Sequence, residues 1–180
     1  MAGTLPRTCR LVTAVAMLSA VAVSAQQPAP GTPGPEHAPL LALVGSWDVS
    51  LEGRVVGSAS AATQLGDRFL AVELRLSDGP IRHAIYTFGS DRRHDDYTVI
   101  AMDDSGTYAV SARGTRQGDE IAMYGTDDDP VITSLGFTKE FVIALRLLGP
   151  DEVEIETRFV DTRTAARTEQ IFVTFELSRR

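Results

Sequence analysis

Histidines and clustered carboxylates are the side chains in this 180-residue sequence best suited to chemistry, and neither is set in a motif that specifies a reaction. His83 lies in phase with Ile81, Ile85 and Thr87. That phase suits a polar group directed into a cavity or a general base, and equally a hydrogen-bonded or surface histidine, since histidine acid–base chemistry needs a positioned partner. His94 stands in Asp91-Arg92-Arg93-His94-Asp95-Asp96, a charged hairpin turn whose spacing fits no closed metal site. Asp127-Asp128-Asp129 lacks the alternate aspartates, sixth-position glycine and terminal glutamate of a calcium-binding EF-hand loop. The sequence has no glycine-x-serine-x-glycine elbow, no histidine-glutamate zinc motif and no glycine-rich phosphate loop. No catalytic residue, metal or cofactor is assigned.

Thiol chemistry depends on one residue, Cys9, the only cysteine in the sequence. It precedes an apolar run at residues 11–23, itself preceded by Arg7 and Arg10 and followed by Val23-Ser24-Ala25. A basic segment, an apolar segment and a small-residue step define a secretory signal peptide over residues 1–25, with Gln26 as the expected mature N-terminus. The run is shorter than the ~18–20 residues that cross a bilayer as a helix. Cys9 lies on the wrong side of it to accept a lipid, so no lipobox is present. The expected location is periplasmic or secreted, without stable membrane insertion after cleavage. Removing Arg7 and Arg10 from a formal charge of −7 leaves −9, which argues against a nucleic-acid partner. The mature chain would be free of disulfides and held by its core alone.

The elements that must position any site are strands. Residues 26–39 are rich in proline and glycine, so the sequence predicts an extended linker with His37 as a solvated member. Residues 40–44 suit one short helical turn. From Trp47 onward the period is two: Trp47, Val49 and Leu51; Leu70, Val72, Leu74 and Leu76; Val153, Ile155 and Phe159; Ile171, Val173, Phe175 and Leu177. Each set alternates with polar residues, the pattern of strands with one wet and one buried face. Glu73 and Arg75 fall on the wet face. Turn signals lie about 10–20 residues apart, too close for a helix and strand between them. The expectation is an all-β domain over residues 40–180, an antiparallel up-and-down barrel of nine to ten strands. Closure removes exposed sheet edges, and a two-sheet sandwich is the alternative.

Leu43-Val44-Gly45-Ser46-Trp47 resembles the glycine-x-tryptophan opening of lipocalin-like (calycin) barrels. The resemblance implies that Trp47 plugs one end of the barrel and that Arg179, near the end of the last strand, stacks over it. Over residues 38–178 the chain is similar to the bacterial family catalogued as domain of unknown function 1579. Leu65-Gly66-Asp67-Arg68-Phe69-Leu70, Phe88-Gly89-Ser90-Asp91 and Asp128-Asp129-Pro130 carry that likeness, and Ala101 departs from it where an aromatic residue is usual. The family implies the barrel and no assigned activity. Related nitrobindin-like barrels bind haem through a histidine late in the chain, whereas this sequence has none after His94.

Aromatic and methionine side chains gather in the middle strands, as small-molecule pockets require. The candidate ligand-binding residues are His83, Tyr86, Tyr97, Met102, Tyr108, Met123 and Tyr124. The leading expectation is an exported barrel that binds a small apolar molecule. An envelope protein-interaction module comes second, and an enzyme acting through His83 inside the barrel third. The sequence leaves the ligand and the oligomeric state open.

Overall fold

The computed structural model describes residues 32–106, 109–126, 140–161, 166 and 168–180. Ten antiparallel strands form a closed barrel in simple meander order. They are β1 (Gly45–Leu51), β2 (Arg54–Gln64), β3 (Phe69–Leu76), β4 (His83–Asp91) and β5 (Asp96–Asp103), then β6 (Val110–Gln117), β7 (Glu120–Thr126), β8 (Glu140–Leu147), β9 (Glu152–Asp161) and β10 (Thr168–Arg179). Pairing of β1 with β10 closes the cylinder, Trp47 lying opposite Arg179 and Val49 opposite Leu177. Closure leaves no edge strand, which is how a meander of this length avoids pairing with other chains.

The alternation read in the sequence is the inside–outside alternation of the wall. Trp47, Val49, Leu70, Val72, Leu74, Val153, Ile155, Phe175 and Leu177 are buried in one continuous interior core. Ile171 is the exception. The β9–β10 register shifts between Ile171 and Val173, so the extra residue Phe172 rotates Ile171 outward, where it is 65% exposed. A period-two reading carried through a bulge assigns every residue beyond it to the wrong face.

A second bulge, between Val49 and Ser50 against β2, lies beside Gly57. A Cβ at Gly57 would stand 2.1 Å from the Arg75 carbonyl oxygen. The small-residue run at residues 57–62 thus lets β2 approach β3 where the wall bends.

The expected extended linker differs in its last residues. Pro35–His37 form a 3-10 turn and continue into the helix α1 (Ala38–Leu41). His37 is buried instead of solvated. Its Nε2 lies 2.9 Å from the Arg68 carbonyl and its Nδ1 3.0 Å from the Ser90 hydroxyl. A carbonyl only accepts, so Nε2 carries a proton. Proline here starts a helical turn at its first position, where a missing N–H costs nothing. Leu40 then plugs the core beneath it. Among the described residues, no helix is long and apolar enough to cross a membrane.

Candidate functional site

The two ends of the barrel differ. At one end α1, the 65–68 turn, the 92–95 turn and the 148–151 turn surround Trp47 and Arg179. The Arg179 guanidinium lies 4.3 Å from the centre of the Trp47 ring. It donates to the carbonyls of Ala42 at 2.8 Å, Val44 at 3.1 Å and Pro150 at 3.1 Å, and it pairs with Asp151. The Trp47 indole donates to the Leu43 carbonyl at 2.9 Å. One arginine thereby ties the N-terminal turn, the β8–β9 hairpin and the last strand over a buried ring. Gly45 fits this arrangement for two reasons: its φ of +147° disfavours a side chain, and a Cβ there would come 2.7 Å from Arg179 Nη1. This end is sealed.

The opposite end holds a cavity of about 380 Å3. Its wall is apolar and aromatic, with Tyr86 from β4, Phe141 from β8, Phe159 from β9, and Phe172 and Phe175 from β10. Small residues make the space: Ala84 and Ala101 occupy inward positions where larger side chains would fill it. Phe159 and Phe172 meet edge-to-face with ring centres 5.1 Å apart, so the bulged residue completes the aromatic wall. The polar lining is sparse. Thr157, Asp103 and Ser105 contribute it together with the Tyr86 phenol. Burial pushes the Tyr86 phenol up to about 12, the negative charge of Asp103 adds to the rise, and a hydrogen bond with Thr157 opposes it. The phenol is neutral at every physiological pH and can both donate and accept.

Of the ligand-binding residues expected from sequence, Tyr86 and Met102 line this cavity, Met102 at its rim. Tyr108 lies outside the described residues. Met123 is fully buried in the core. Tyr124 points outward and is more than half exposed. Tyr97 belongs to the sealed end, where its hydroxyl donates to the Glu36 carbonyl at 2.8 Å. It borders a separate polar recess there with Glu36, Asp91, Asp96 and Arg116.

His83 lies on the outer face of β4, since Ala84, Tyr86 and Phe88 take the inward positions. It bonds Glu73 at 3.0 Å, and Glu73 also pairs with Arg75. A histidine outside the wall has no access to the cavity, so it supplies no acid–base group there. His94 bonds Asp91 at 2.7 Å in the exposed 92–95 turn. Among the described residues, no group of three or more histidines, cysteines or acidic residues is placed to hold a metal ion.

Sequence reasoning passed over Asp103, Thr157, Phe141, Phe159, Phe172 and Phe175 as lining residues. Two of them carried a legible signal. Thr157 shares the inward phase of Val153, Ile155 and Phe159, and Asp103 shares that of Tyr97, Val99 and Ala101. A polar residue in an apolar phase marks a place where the strand's inner face meets a cavity, at the strand end for Asp103 and mid-strand for Thr157.

Fold and cavity together define a small, closed antiparallel β-barrel with one end sealed and an apolar chamber at the other. Among solved structures, the chain is similar to Rv2717c from M. tuberculosis, with a TM-score of 0.47 and 17% sequence identity. The match covers 82% of this chain and 98% of that one. At that level the likeness says nothing about ligand or activity. No protein-family model matches the chain, and no curated protein matches it.

Proposed function

We propose that this protein is an exported barrel that binds a small, largely apolar molecule in the chamber opposite Trp47. The observation that carries the reading is the cavity itself. At about 380 Å3 it lies within the ~300–1,000 Å3 of ordinary ligand pockets, and it combines an apolar wall with a few convergent polar groups. Tyr86 and Thr157 would orient the ligand, and the aromatic wall would supply most of the affinity. The motifs at residues 65–70 and 88–91 support placing the chain beside the family catalogued as domain of unknown function 1579. The neutral fluorophore N-phenyl-1-naphthylamine tests the chamber. It should bind the wild-type protein with a fluorescence rise. Ala84→Trp, which fills the chamber, should weaken binding at least tenfold, with Val110→Trp at the rim as a second block. Equal binding by wild type and both variants, with their melting transitions intact, would place the probe elsewhere and sink the reading.

Export rests on residues 1–25, and the composition of that segment supports it. Protein recovered from the envelope of its own cells should begin at Gln26 by N-terminal sequencing. An N-terminus at or before Cys9 on the recovered protein would contradict cleavage. Native mass spectrometry of the same sample should retain a small molecule if the chamber is filled in the cell.

A further inference from the structure

We propose that the chamber is selective for a protonated amine carried on an apolar body, the ammonium lodging between the Asp103 carboxylate and the aromatic wall. The proposal rests on the reading of the cavity as a ligand site and names the chemistry that site would accept. Among the described lining residues, Asp103 is the only charged side chain, and none is a lysine, arginine or histidine. Five aromatic rings, those of Tyr86, Phe141, Phe159, Phe172 and Phe175, line the same space. The face of an aromatic ring is negative, so rings and carboxylate favour the same charge. Among the described lining side chains an anion meets no donors but hydroxyls, and Asp103 repels it. A neutral apolar ligand would add no partner to a carboxylate held among the described residues by Ser105 alone, and would shut water from it beside an apolar wall, which costs binding energy.

Asp103 is built into the site. It stands on the inward phase of β5 opposite Ala84. Ser105 donates to it twice, from its backbone N–H at 2.8 Å and from its hydroxyl, and both bonds fall on Oδ1. Among the described residues, Oδ2 is left for a ligand. The field of the carboxylate reaches the interior, since its charge helps raise Tyr86 on the neighbouring strand. Thr157 and the Tyr86 phenol then offer acceptor oxygens to the remaining ammonium hydrogens.

Three naphthalene probes of nearly one shape separate the possibilities: 1-naphthylmethylamine, which is protonated at pH 7, neutral 1-naphthylmethanol, and anionic 1-naphthoate. Calorimetric titrations use the full chain at 0.15 M salt, where long-range attraction to the acidic surface is largely screened. The amine should bind at least tenfold tighter than the alcohol, and the carboxylate most weakly. Asp103→Asn should cut the amine's advantage below threefold, with the alcohol binding at least as tightly as it does to the wild type, which also reports that the chamber is intact. Thr157→Val should weaken the amine more than the alcohol. Alcohol binding as tight as amine binding, or an amine preference that survives Asp103→Asn, overturns the selectivity and leaves the ligand chamber standing. Failure of all three probes to bind, or amine binding that persists in Ala84→Trp, overturns both.

Discussion

Replacing Trp47 with Ala will lower the stability of the barrel by about 4 kcal/mol, among the largest losses any single truncation here can produce. A buried Trp→Ala change typically costs about 3–5 kcal/mol, from lost transfer energy and the void left behind. Trp47 is 1% exposed, and the neighbours that would have to collapse into its place are themselves pinned. Val49 and Leu177 are locked in the β1–β10 ladder, and the Leu43 carbonyl loses the donor it had from the indole. Arg179 loses the ring beneath its guanidinium yet keeps its carbonyl acceptors, so Arg179→Ala alone should cost less. The Trp47–Arg179 double-mutant cycle should give a coupling of about 0.5–2 kcal/mol, the range for a cation–π pair. Urea unfolding must be followed by far-ultraviolet circular dichroism, because Trp47 is the only tryptophan in the chain. A loss under 2 kcal/mol would mean the sealed end is not part of the cooperative core.

The barrel was legible because its signal is repeated. Each strand states its own inward face, and turn residues mark where the chain reverses. The glycine-x-tryptophan step was legible as a pattern, but its reason lies in three dimensions. Gly45 is shaped by the Arg179 guanidinium, 134 residues later in the chain, which approaches where a Cβ would stand. The site was read poorly for a related cause. Residue type singles out the aromatic and methionine side chains, but in a β-barrel it is phase that decides whether a side chain meets ligand or solvent. His83 and Tyr86 are three residues apart and so face opposite sides of one wall. Bulges then break even a correct phase, as Phe172 does for Ile171. His37 was lost to composition: a proline-rich stretch reads as linker, and nothing local shows that the Arg68 carbonyl and Ser90 hydroxyl wait for an imidazole.

On the outer face of β7 to β10, charge balance predicts that losing an arginine hurts more than losing the carboxylate it covers. Glu156 is only 2% exposed, and Arg146 meets it at 3.0 Å while Arg158 binds the same oxygen. The same two arginines hold Glu120, Glu154 and Glu169. Beneath them Val142 and Ala144 are buried although they face outward, so the guanidinium stems also act as a roof. Burial by itself would favour a neutral Arg158, but hydrogen bonds to Glu169 and Glu156 raise its pKa and hold it charged.

Among the described residues, two cations serve four carboxylates. Glu156→Gln relieves that excess and should cost about 1–2 kcal/mol, the order of a charge-assisted hydrogen bond. Arg158→Gln deepens it, leaving a sealed carboxylate with one cation, Arg146, and the Thr174 hydroxyl among like charges. That change should cost about 3 kcal/mol, at the low end for a broken buried pair because Arg146 remains. Acid distinguishes the two causes. The hydrogen bond from Arg146, helped by the charge of Arg158, lowers the pKa of Glu120. A carboxylate with a lowered folded-state pKa stabilises the fold above its unfolded pKa, and that contribution fades as pH falls through the folded value. Without Arg158 part of the contribution is already absent, and protonation relieves the crowded carboxylates. The gap between wild type and Arg158→Gln should therefore shrink as urea unfolding is repeated from pH 7 down to pH 4. A gap that stays constant with pH would assign the loss to the uncovered roof over Val142 instead of to charge.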